Sequence, residues 1–172
     1  MTHLTRYAAT EMSLTRVLAR KIDRWGRLQT EAGEEAEEVA RACRGAKGAI
    51  AGVIARLKEL GVLNDDAFAA ARAKRLRREG KSARAVSAHL AAKGVRGAAT
   101  EQDPARELAA ACAYLRRKRA GPFGAAPEQK ILAAMARGGF SQATAQRALK
   151  LPREEAEALI ASLWGDGLSP AG

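Results

Sequence analysis

Between Arg72 and Arg96 nine side chains are Lys or Arg, against the single acid Glu79. If a helix starts at Asp65, the 3.6-residue period places Lys74, Arg77, Arg78 and, one turn further, Lys81 on one arc opposite Ala69 and Leu76. Arg84 follows in the next helical stretch. Fixed cations at this spacing neutralise the phosphates of a nucleic acid or meet an acidic protein groove; they transfer no proton and break no bond. A second cluster, Arg116, Arg117, Lys118 and Arg119, ends a later helix. There the charges also suit the negative end of the helix dipole, so structure explains them as well as binding does. For both clusters the bland alternative is a solvated helix face, which so unopposed a run makes the weaker reading of the first.

Other candidate chemistry is thinner. Asn64, Asp65 and Asp66 could pass for a carboxylate site, but they stand where a helix begins, and Asn as cap with acids in the first turn is the simpler reading. Cys43 and Cys112 lie far apart in sequence and read as reduced, unpaired thiols. His3 and His89 are single, so no metal or cofactor site is readable. Arg72 falls on the apolar side between Phe68 and Leu76 and reads as a snorkelling stem. Tyr114 and Trp164 are the aromatics that could stack on bases, whereas Trp25, beside Gly26, is expected to pack. No glycine-rich phosphate loop and no nucleophile-base set appears, so the chain is expected not to be an enzyme.

The elements that must position these cations are helical. The chain has 172 residues, 47% hydrophobic but only 4% aromatic, and a core built on Ala and Leu suits closely packed helices. The fold class is all-α. A net charge of +11 and a pI near 10.4 favour an anionic partner. No apolar run approaches the roughly 20 residues of a membrane span and no signal segment is readable, so a cytoplasmic location is expected.

Along the chain, Leu14, Val17, Leu18 and Ile22 recur at helical spacing, with Ser13 as a candidate cap and a short helix before it. Residues 23–33 lack periodicity. Five glutamates between Glu31 and Glu38 read as the solvated start of a helix to Cys43, Gly45 and Gly48 as an interruption, and Ile50 to Leu57 as a stripe ending at Gly61. Helices then follow over Asp65–Glu79, Ser82–Lys93, Pro104–Arg119, Pro127–Arg137, Ser141–Leu149 and Arg153–Leu163, with a frayed tail from Gly165. Ser82, Val86 and Leu90 repeat as Ser141, Ala145 and Leu149; Ser13 and Val17 fit the first two steps, but Lys21 occupies the third. Three three-helix units are therefore expected: residues 1–61 with an acidic insertion, a basic 62–120, and 121–172, stacked into an elongated, curved molecule.

The run Leu60-Gly61-Val62-Leu63-Asn64-Asp65-Asp66-Ala67-Phe68-Ala69, then Gly80-Lys81-Ser82-Ala83-Arg84-Ala85-Val86, Leu90, Lys93-Gly94-Val95 and Arg137-Gly138-Gly139-Phe140-Ser141, resembles the RecX family of bacterial recombination regulators. The likeness runs from Tyr7 to about Leu163; residues 26–48 depart from it, being longer and more acidic than a compact member needs. The resemblance implies a non-enzymatic monomer that binds the RecA recombinase and its nucleoprotein filament on single-stranded DNA, restraining ATP hydrolysis and strand exchange during recombination and repair. The competing class is a helix-turn-helix DNA-binding regulator, for which the helix after Ser82 offers Arg84 but no Asn or Gln near its start.

Overall fold

Thr10 starts the first helix: its backbone is extended and its hydroxyl accepts the Ser13 amide at 3.1 Å. In the computed structural model, which describes residues 9–95 and 103–165, every regular element is helical. The α-helices are α1 (Glu11–Glu31), α2 (Ala36–Glu59), α3 (Asp65–Arg78), α4 (Ala83–Ala92), α5 (Pro104–Lys118), α6 (Glu128–Arg137), α7 (Gln142–Lys150) and α8 (Arg153–Gly165), with a 3-10 turn at Gly121–Phe123. They group into two compact units. The first holds the described residues up to Phe68 with Lys93–Val95, the second Ala69–Ala92 and those beyond Val95, so the boundary falls inside α3.

The first unit is a helical hairpin. Leu14, Leu18 and Ile22 of α1 pack on Ile50, Ile54 and Leu57 of α2 and on Leu63, and Lys58 reaches Glu11 at 2.8 Å and Lys47 reaches Asp23 at 2.6 Å. This corrects the expected break over residues 23–33. Gly26 lies in mid-helix because a Cβ there would stand 2.7 Å from the Cys43 sulfur; the missing side chain lets the two helices approach. Gly45 and Gly48 do not interrupt α2 either. Each costs roughly 1 kcal/mol against Ala in helix propensity, and packing along the hairpin outweighs it. The acids from Glu35 to Glu38 do form an exposed helix start. Among the described residues this region therefore has two long helices rather than three with an insertion. Ser13 sits inside α1 instead of capping a helix; of the short helix expected before it, residues 5–8 lie outside the described residues and Glu11 and Met12 already belong to α1.

Asn64 caps α3, its Oδ1 accepting the Ala67 amide at 2.9 Å. Asp65 does more than favour the dipole: its carboxylate accepts the Glu11 amide at 3.0 Å and so serves the start of α1.

The second unit is built around α5, in which every residue from Leu108 to Leu115 is buried. A helix buried all round needs small side chains to let neighbours close in, and Ala109, Ala110, Ala111 and Ala113 supply them. Met135, Phe140, Ala145, Ala148, Ala156, Ile160 and Leu163 complete this core. Cys112 lies in it, where burial pushes the thiol up to about 11; both cysteines are free. Trp25, expected to pack, is 44% exposed.

A hydroxyl cap followed by apolar residues recurs at three helix starts, the first at Thr10, three residues before Ser13. Ser82 accepts the Ala85 amide and Ser141 the Thr144 amide, each at 3.1 Å, as Thr10 does for Ser13. Counting from each cap, the residues four and eight further are Leu14 and Leu18, Val86 and Leu90, Ala145 and Leu149, all buried or half-buried. Two of the caps also bond a distant carbonyl: Thr10 donates to that of Lys93 and Ser82 to that of Gly138, both at 2.6 Å. In each case the next residue is a glycine with positive φ, Gly94 or Gly139.

Candidate polyanion-binding site

The turn from α3 to α4 is pressed onto α5. Gly80 has φ +72°, and a Cβ on it would stand 2.5 Å from the Tyr114 backbone nitrogen. Lys81, next in sequence, is exposed, and the Arg117 guanidinium lies 5.6 Å above the Tyr114 ring. Ser82 is fully buried, and the Ala83 amide donates to Glu107 of α5 at 2.8 Å. Burial raises the Glu107 carboxyl above the ordinary value, opposed by that amide and by the charge of Arg77. Arg84 is exposed, yet its stem packs against the turn after α6, since a Cβ on Gly139 would lie 3.1 Å from the Arg84 Cβ. The α3–α4 turn thus lies against α5, with Lys81 and Arg84 exposed on either side of Ser82 and Arg117 three residues beyond Tyr114.

Arg137 belongs to the same neighbourhood. It is exposed at the end of α6, two residues before Gly139. In the sequence Arg137 stands alone among uncharged residues, so only its place at the head of Arg137-Gly138-Gly139-Phe140-Ser141 marks it, and charge clustering does not.

The expected solvent-facing arc on α3 is corrected. Lys74, Arg77 and Arg78 are each half-buried. Arg78 donates from Nε to the Leu163 carbonyl at 2.9 Å and stacks on Trp164, 4.4 Å from the ring centroid. A cation on the last carbonyls of a helix is stabilising, so Arg78 closes α8. Arg77 faces Glu107. Of that arc only Lys81 is exposed. Arg72, read as a stem, donates to His89 at 3.1 Å.

Arg116, Arg117, Lys118 and Arg119 are all exposed. Arg119 has φ +52°, the left-handed conformation at the helix end. That position favours Gly, and a side chain there costs about 1–2 kcal/mol. Arg119→Gly is expected to stabilise the protein by about 1 kcal/mol in chemical denaturation while weakening its hold on a polyanion. A loss of stability would show that the arginine is kept for packing. Tyr114, by contrast, is no stacking platform: its ring is in the core, edge-on to Phe140 at 5.8 Å. Trp164 is 57% exposed.

Among the described residues no group of three or more His, Cys, Asp or Glu could hold a metal ion, and no helix is long and apolar enough to cross a membrane. What the described residues offer a ligand is a set of exposed cations, Lys81, Arg84, Arg116, Arg117, Lys118, Arg119 and Arg137.

No family model matches the sequence, and no solved structure matches it significantly. The chain is 35% identical over 159 residues to the regulatory protein RecX of Myxococcus xanthus (strain DK1622), an alignment covering 86% of this chain and 80% of that protein. Identity of that extent, over most of both chains, reflects common descent and not a shared richness in Ala and Arg, and the chain belongs to the RecX family of regulatory proteins.

Proposed function

We propose that this protein is a non-enzymatic regulator of the RecA recombinase, binding its nucleoprotein filament on single-stranded DNA and restraining ATP hydrolysis and strand exchange in recombination, repair and the SOS response. Membership of the RecX family carries the reading, and the exposed cations of the second unit supply its physical basis. Lys81, Arg84, Arg116, Arg117, Lys118 and Arg119, with Arg137, would meet the strand's phosphates or an acidic filament surface. A protein that binds one state of a cycling ATPase more tightly than the other slows the cycle without any catalytic group of its own. The chain would act as a monomer in the cytoplasm, meeting the filament through the exposed cations of the second unit.

The helix-turn-helix alternative is less well supported. A recognition helix needs its first turn free to enter the major groove, and that of α4 is taken up by Glu107, Gly138 and Gly139. Co-sedimentation with RecA filaments tests the proposal. The wild-type protein is expected to pellet with filaments, and a variant with Arg116, Arg117, Lys118 and Arg119 all changed to Gln to pellet less, with a log-log salt slope smaller by up to about 0.7 per lost phosphate contact. Absence of the wild-type protein from the pellet at low salt contradicts it.

A further inference from the structure

Helix α1 packs on α2 through Leu14, Leu18, Ile22 and Gly26. Among the described residues its other face is open. Arg16, Arg20 and Arg24 form one row at four-residue steps, Val17, Lys21 and Trp25 the row beside it, and all six are exposed. None of the three arginines meets a carboxylate among the described residues; Arg20 donates only to the Arg16 carbonyl, at 3.3 Å. Asp23, which could have answered them, is held by Lys47.

Stability does not account for this face. Like charges four apart on a helix repel, at a cost of a few tenths of a kcal/mol per pair, and an indole left in water forgoes a large apolar burial. Their combination suits a partner that is anionic and also offers flat surfaces. Steps of four residues place the arginines about 6 Å apart along the axis, of the order of the phosphate repeat in a stretched single strand. Trp25 stands beside the row, where a base can stack on it. An acidic protein would answer the charges but leave the indole unexplained. An anionic membrane would need a broad apolar face, and that of α1 is already packed on α2.

We propose that the outer face of α1 is a single-stranded nucleic-acid site, with phosphates on Arg16, Arg20 and Arg24 and a base on Trp25. This rests on the reading that the protein acts on filaments containing single-stranded DNA, and adds a surface in the first unit to the cations of the second.

The test uses the full chain carrying Trp164→Phe, which leaves Trp25 as the sole indole, titrated with an oligothymidylate strand. Quenching of Trp25 emission is expected. Trp25→Ala should weaken binding about tenfold, and changing Arg16, Arg20 and Arg24 together to Gln should lower the log-log salt slope by up to about 2. Unchanged circular dichroism and thermal midpoint will show that the variants are folded. Trp25 emission unmoved by the strand overturns the proposal, as do variants with wild-type affinity and slope. A response to phosphatidylserine vesicles or to polyglutamate without one to the strand also overturns it, assigning the face to a membrane or to an acidic protein. The assay contains no recombinase, so its failure leaves filament binding standing, and failure of filament binding leaves its result standing.

Discussion

Gly80→Ala is expected to destabilise the second unit by about 3 kcal/mol or more. The backbone there is left-handed, which costs an L side chain about 1–2 kcal/mol. The added Cβ would also stand 2.5 Å from the Tyr114 nitrogen, on backbone that cannot turn aside. Separating the α3–α4 turn from the middle of α5 adds an overpacking cost of about 1–3 kcal/mol. Each unit contains one of the two tryptophans, so the effect can be localised: in a Trp25→Phe background Trp164 reports the second unit, and its denaturation midpoint should fall. A loss below about 1 kcal/mol would mean that α3 and α5 are not in contact at this point.

Ser82→Ala is expected to cost about 3 kcal/mol, although it removes a single oxygen. The hydroxyl accepts the Ala85 amide and donates to the Gly138 carbonyl. Loss of a cap costs about 1 kcal/mol, and leaving the half-buried Gly138 carbonyl without the donor that the fully buried Ser82 supplied costs about 1–3 kcal/mol more. Ser141→Ala is the control. That hydroxyl caps α7 in the same way but is exposed, pairing with the Thr144 hydroxyl at 2.8 Å, so about 1 kcal/mol is expected. Equal losses at the two serines would show that the second bond of Ser82 contributes nothing.

Helix ends that depend on local chemistry are legible in the sequence. Asn64, Ser82, Asp103 and Ser141 stand at the starts of helices, and Gly80 and Gly94 follow the ends of others, as their residue types require. Alanine richness likewise foretells the close packing round α5. What the sequence hides is long-range. Gly26 looks like a breaker until Cys43 is seen to occupy the missing side chain's place, and Thr10 is as good a cap by type as Ser13, the choice resting on Lys93, 83 residues away. Arg78 reads as a surface charge because its partner is the carbonyl of Leu163, at the far end of the chain. The cations of α1 escape notice for a related reason: ending that helix at Ile22 cuts Arg24 and Trp25 away from Arg16 and Arg20.

ATP hydrolysis by RecA on single-stranded DNA, followed with increasing amounts of this protein, is the most direct test of its role as a filament regulator. The rate should fall at or below equimolar protein, with no nucleotide bound to the added chain. An unchanged rate at saturating protein would contradict that role.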